Sequence, residues 1–146
     1  MKSYLVQGKT LIRPLETGSY GFGFAFGITR PDHGRGGADY AYVPLSLMSS
    51  TGRAVVHFNL GWLRDHVLRA SRTTWGLGAE YACTERVSVF GEVFGDDATD
   101  PKLHAGFSFG LIPDRIQLDT TYGHSTGAAH DSDFYSIGIN IYMPPF

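Results

Sequence analysis

Between Ser19 and Thr29 the chain reads Ser-Tyr-Gly-Phe-Gly-Phe-Ala-Phe-Gly-Ile-Thr. Tyr20, Phe22, Phe24, Phe26 and Ile28 fall on one parity, and Gly21, Gly23, Ala25, Gly27 and Thr29 on the other. Successive side chains of a β-strand point to opposite faces, so the stretch builds one aromatic face backed by one nearly bare face. A strand of a soluble sandwich turns its large apolar residues to the core and its polar residues to water. Here the small face carries no charge at all. The wall of a membrane barrel accommodates this combination: large side chains meet lipid, and glycines sit where the wall curves around a lumen.

The alternation recurs along the chain. Glycine, proline and charged clusters cut it into about nine segments, roughly 5–13, 19–29, 39–48, 54–63, 72–82, 86–94, 102–111, 115–123 and 133–143. In 54–63, Val56, Phe58, Leu60 and Trp62 oppose Val55, His57, Asn59 and Gly61. In 72–82, Thr73, Trp75, Leu77, Ala79 and Tyr81 oppose Thr74, Gly76, Gly78 and Glu80. In 102–111, Leu103, Ala105, Phe107 and Phe109 oppose His104, Gly106, Ser108 and Gly110. Leu118 and Tyr122 oppose Gln117, Asp119 and Gly123, and Ile137, Ile139 and Ile141 oppose Ser136, Gly138 and Asn140. Two segments are mixed. In 39–48 the tyrosines and aliphatics lie on opposite faces, and in 86–94 the valines oppose Ser88, Phe90, Glu92 and Phe94. No segment has a sustained 3.6-residue period, although Trp62 to Leu68 is long enough for one charged helical turn. Short strands at regular spacing with turn signals between them indicate an all-β sandwich or barrel.

Composition narrows the class. The 146 residues make one domain, 1–146, long enough for a closed barrel or a sandwich. Charged residues are only 18% and glycines number 19, so little of the chain is built as a solvated surface. A formal charge of −2 without a Lys/Arg cluster gives no basis for nucleic-acid binding. Cys83 is the single cysteine, which excludes an intrachain disulfide and a cysteine-based metal site. No apolar run approaches the ~18 residues of a transmembrane helix. The opening Met1-Lys2-Ser3-Tyr4-Leu5-Val6-Gln7 lacks the apolar core of a secretory signal.

Connector lengths suggest a polarity. Turns near 14–18, 49–52, 83–85 and 112–114 read as short, whereas 30–38, 64–71, 95–101 and 124–132 read as long and polar. Outer-membrane barrels alternate tight periplasmic turns with longer extracellular loops. The chain ends on Phe146, matching the terminal aromatic that serves such barrels as an assembly signal, with Pro144 and Pro145 interrupting the strand before it. Bacterial single-chain barrels have an even strand number. Nine segments therefore lead us to expect the C-terminal part of a larger even-stranded, antiparallel up-and-down transmembrane β-barrel.

Gly-Leu-Gly-Ala-Glu-Tyr at 76–81, Thr84-Glu85-Arg86, Val89-Phe90-Gly91-Glu92-Val93-Phe94-Gly95, the run Leu111 to Asp119 and the ending Tyr142-Met143-Pro144-Pro145-Phe146 form strand–turn–strand patterns. They resemble the meta-pathway phenol-degradation family of outer-membrane β-barrel proteins over roughly residues 10–146. The resemblance implies a fold and a place, the bacterial outer membrane, with its lipid and the barrel-assembly machinery as partners. It implies no catalytic residue and no cofactor.

On these grounds Phe22, Phe24, Phe58, Trp75, Leu77, Phe107 and Ile139 are expected to face lipid. His57, Asn59, Glu80, Glu92, His104, Gln117 and Asp119 are expected to line the lumen. Lone buried charges are costly, so such groups pair with one another or with water. They form either a network that holds the wall together or the lining of a passage for small, apolar solutes. Two histidines among dispersed carboxylates have no metal-site spacing, and no metal is expected. An enzyme has one foothold, His124-Ser125-Thr126 with Asp131 or Asp133 downstream, similar to the His-x-Ser motif of outer-membrane lipid A deacylases. Thr126 stands where the nucleophile belongs, and Ser125, adjacent to the histidine, points to the opposite face. We therefore expect a channel or transporter and no catalytic residue. A lipid A deacylase-like hydrolase is one alternative. The other is a soluble lipocalin-like binder, which would enclose the aromatic parity around an apolar ligand. Neither Gly21-Phe22-Gly23 nor Gly34-Arg35-Gly36-Gly37 precedes a helix, so neither is a phosphate loop.

Overall fold

The computed structural model describes residues 3–32, 36–112, 115–127 and 133–142. They form nine strands: β1 (Ser3–Arg13), β2 (Tyr20–Pro31), β3 (Ala38–Met48), β4 (Ala54–Asp65), β5 (Ala70–Ala82), β6 (Val87–Asp96), β7 (Lys102–Ile112), β8 (Ile116–Ser125) and β9 (Phe134–Ile141). The protein is all-β. Each strand pairs antiparallel with its neighbours in sequence, giving one up-and-down sheet in the order β1 to β9. The alternating segments became strands with ends moved by only a few residues. Phe146, the expected assembly signal, lies outside the described residues, as do Pro144, Pro145 and Asp131.

The sheet is not closed. No Cα of β1 comes within 8 Å of one in β9. Both outer strands are exposed along their length, with Val6 and Leu11 at 69% and 74% and Tyr135 and Ile137 at 79% and 78%. An odd number of strands in a meander also makes β1 and β9 run in the same direction. A seam between them would be parallel, unlike every other pairing in the sheet.

Two local expectations are corrected. Trp62 to Asp65 continues β4 without a helical turn. The strict alternation of short and long connectors also fails, because the strands run on into the charged stretches. The connector at 66–69 is shorter than that at 14–19. The Asp65 carboxylate makes this tight turn possible by accepting the amides of Val67 at 2.7 Å and Leu68 at 2.9 Å. Arg69 closes the turn at φ 52°.

The two faces of the sheet follow from the register. Leu45 opposes Phe58, Phe58 opposes Leu77, Leu77 opposes Val93, and Val93 opposes Leu103, so the large apolar parity is continuous across β3 to β7. That face is the exposed one: Phe24 and Phe58 are each 39% exposed. The other face holds the buried glycines Gly21, Gly23, Gly27, Gly76 and Gly123, together with Ala25, the one buried apolar side chain among the described residues. There is no large-residue hydrophobic core among the described residues.

The mixed segments are explained by what lies opposite them. Tyr40 and Tyr42 belong to the glycine face because their register partners are Gly27 and Gly61. Phe90 faces Gly106 and Phe134 faces Gly123 on the same side. At Gly27, Gly106 and Gly123 the facing ring covers the space that a Cβ would occupy, and at Gly61 the Cβ of Tyr42 does so. Aromatic–glycine cross-strand pairs of this kind lock the register and shield the bare backbone.

Candidate functional site

Polar side chains on the glycine face converge on the middle of β4 to β7. One cross-strand row runs Ser46, His57, Gly78, Glu92, His104, Gly123, each residue opposing the next. Ser46 Oγ and His57 Nδ1 are hydrogen-bonded at 2.8 Å. His104 Nδ1 stands 3.7 Å from Glu92 Oε2, which makes an ion pair when the imidazole is protonated. The His104 ring is held between Phe90 and Phe134, with centroids 5.6 Å away on each side.

The glycines of β5 lie beneath the Glu92 side chain. A Cβ built at Gly78 would meet Glu92 Cβ and Cγ at 3.6 Å, and one at Gly76 would meet Glu92 Oε1 at 3.5 Å and Asn59 Nδ2 at 3.7 Å. The carboxylate therefore leans along the sheet over a bare glycine floor, toward Asn59. A concavity with an open volume of about 240 Å³ remains above this floor, lined by His57, Asn59, Gly78, Glu80, Phe90 and Glu92. Glu80 opposes Phe90 directly. No group of three His, Cys, Asp or Glu among the described residues could hold a metal ion.

The remaining expected lumen residues belong to a second cluster on the same face. Asp119 accepts from Gln117 Nε2 at 2.7 Å and from Asn140 Nδ2 of β9. Thr121 and Ser136 bond beside them. Thus His57, Asn59, Glu80, Glu92, His104, Gln117 and Asp119 share one face, in two groups separated along β6 to β8. Phe22, Phe24, Phe58, Trp75, Leu77, Phe107 and Ile139 share the other. Ile139 is 64% exposed, whereas Phe22 and Trp75 are half-buried. Ser46, Phe90, Phe134 and Asn140 escaped the sequence reading as members of the polar clusters. Their roles depend on register, and the only trace in the sequence is the break in alternation around Phe90.

Ion pairs gather at one end of the sheet. Asp39 binds Arg30 Nη2 at 2.6 Å and His66 Nε2 at 2.8 Å, and Arg72 binds Asp96 at 3.1 Å. His124 Nδ1 meets Asp133 at 2.6 Å at that same end. Each of these residues is at or beside a terminus next to the connectors 32–37, 66–69, 97–101 or 126–133. His124 thus has an orienting carboxylate, while the two hydroxyls that follow it in the chain are directed elsewhere. Thr126 Oγ1 donates to the Pro101 carbonyl at 2.8 Å. Ser125 opposes Lys102 while His124 opposes Leu103, which puts the two side chains on opposite faces.

These features define an all-β protein whose nine-stranded antiparallel sheet has one exposed apolar face and one glycine-rich polar face. The chain belongs to the family described as Uncharacterised conserved protein UCP029691, which it matches over residues 3–143. No curated protein and no solved structure matches it.

Proposed function

We propose that the sheet is the wall of a β-barrel in the bacterial outer membrane and serves as a passive channel or transporter for small molecules with apolar bodies. The observation that carries this reading is the exposure of the apolar parity on strand after strand, from Phe24 and Phe26 through Phe58 and Leu60 to Ile137 and Ile139. Water would penalise such a surface, and the hydrocarbon region of a membrane would not. A lipocalin-like binder would bury this parity, so the exposed aromatic face favours the membrane reading over the soluble one. The opposite face, with its paired polar groups and glycine floor, suits the inside of the barrel. The seam between β1 and β9 closes in the membrane, either directly or through added strand pairing.

Trp62 and Trp75 are the only two tryptophans and both belong to the apolar parity, so they report on lipid contact directly. In vesicles of lipids brominated along the acyl chain, their fluorescence should be strongly quenched. Unquenched emission would reject the membrane wall. Flux of small solutes from loaded vesicles then tests passage, and vesicles that remain tight would reject the channel.

A further inference from the structure

We infer that the concavity over Gly78 binds a small organic cation, an ammonium group carried on a compact apolar body. This rests on the reading of the glycine face as a solute-facing surface, and it names the chemistry of the solute.

Three independent features meet there. The first is space. Gly78 and the flanking backbone of Ala79 and Gly91 form the floor, and a Cβ at Gly78 would find only ordinary contacts, the nearest at 3.5 Å. About 240 Å³ is open above them, less than a drug-sized pocket and enough for a small amine. The second is charge. Glu80 and Glu92 both line the space, and no lysine or arginine does. Of the neutral polar neighbours, His57 Nδ1 is committed to Ser46 at 2.8 Å. The third is the ring of Phe90, which lies opposite Glu80 and one position along the same face from Glu92. A ring beside carboxylates offers a cation both its quadrupole and a counter-charge, and offers the apolar body a surface.

The donor set also selects the size of the cation. A bare divalent metal needs three or more converging ligands, and among the described residues no such group exists. A larger ammonium can span the separated carboxylates without convergence. An anion would be repelled by both, and a neutral analogue would lose the charge-assisted bonds.

The test uses the full chain in detergent micelles, titrated with benzylammonium chloride and separately with benzyl alcohol, its neutral analogue, by calorimetry or NMR. Saturable binding of the ammonium and no saturable binding of the alcohol is expected. Glu92→Gln and Glu80→Gln should each weaken the ammonium by about tenfold, as loss of one charge-assisted bond implies. Gly78→Ala tests the floor without removing a charge and should weaken it as well. Circular dichroism of each variant should match the parent. Equal binding of the alcohol, or ammonium affinity unchanged in Glu80→Gln and Glu92→Gln, would overturn the inference. Vesicle flux is scored separately. Amine binding without flux would sink the channel and leave this site standing, while flux without amine binding would do the reverse.

Discussion

The ring of Phe90 in β6 fills the place that a side chain on Gly106 in β7 would need, its Cζ within 2.8 Å of a Cβ built there. The backbone oxygen of Thr120 crowds the same point from β8. Gly106 is therefore a joint across three strands, and the same device recurs where Tyr40 covers Gly27 and Phe134 covers Gly123. In a sheet without a large buried core, these joints replace much of what interior packing does in a soluble domain.

Gly106→Ala is accordingly expected to destabilise the fold by about 1–3 kcal/mol, the range for forcing an added methyl into a filled site. A ring could swing aside, but the Thr120 carbonyl belongs to the strand ladder and cannot. Gly138→Ala is the control, since a Cβ there meets nothing within 4 Å. Urea unfolding of both variants in micelles checks the contrast. Equal midpoints would show that the Phe90–Gly106 joint carries no weight.

Leu77→Arg distinguishes a membrane wall from a wetted surface by the size of its effect. Leu77 is 48% exposed on the apolar face, flanked by Phe58 and Val93. On a surface in water an arginine there is close to neutral. Near the middle of a bilayer it costs about 2–4 kcal/mol. Unfolding measured in lipid vesicles should show the larger loss, and Ser108→Arg on the polar face should show much less.

Asp119 ties β9 to the sheet through the Asn140 amide it accepts, and it also accepts the Gln117 amide of its own strand. Asp119→Ala leaves both without their acceptor, a loss of about 1 kcal/mol for partly solvated groups. The effect should be local. Hydrogen exchange should speed up in β8 and β9 and stay unchanged in β4 and β5, where the pairing is independent of Asp119. Uniform acceleration would mean the cluster supports the whole sheet.

His124 separates the hydrolase from the wall. Its Nδ1 is bound to Asp133 and the nearby Thr126 hydroxyl is spent on Pro101. His124→Ala should therefore leave solute flux unchanged and alter no release of fatty acid from lipid A. Deacylation by the parent that disappears in His124→Ala would replace the channel reading with an enzyme.

The nine strands, their approximate ends and the two faces were legible in the residues alone, because side-chain parity in a strand is a local property. Tyr20 to Ile28 and Val56 to Trp62 announce their apolar face without help from any other part of the chain. What only the tertiary structure decided is which residues meet. Phe90 breaks the alternation of its own segment, and nothing within that segment explains it. The explanation is Gly106, brought opposite by the β6–β7 register. The lean of Glu92 over Gly76 and Gly78, the Ser46–His57 bond and the gathering of Arg30, Asp39 and His66 at one end arise in the same way. Register couples residues far apart in sequence, and a one-residue slip would exchange the faces. Composition and period cannot encode that choice; the turns and the ring-over-glycine joints do.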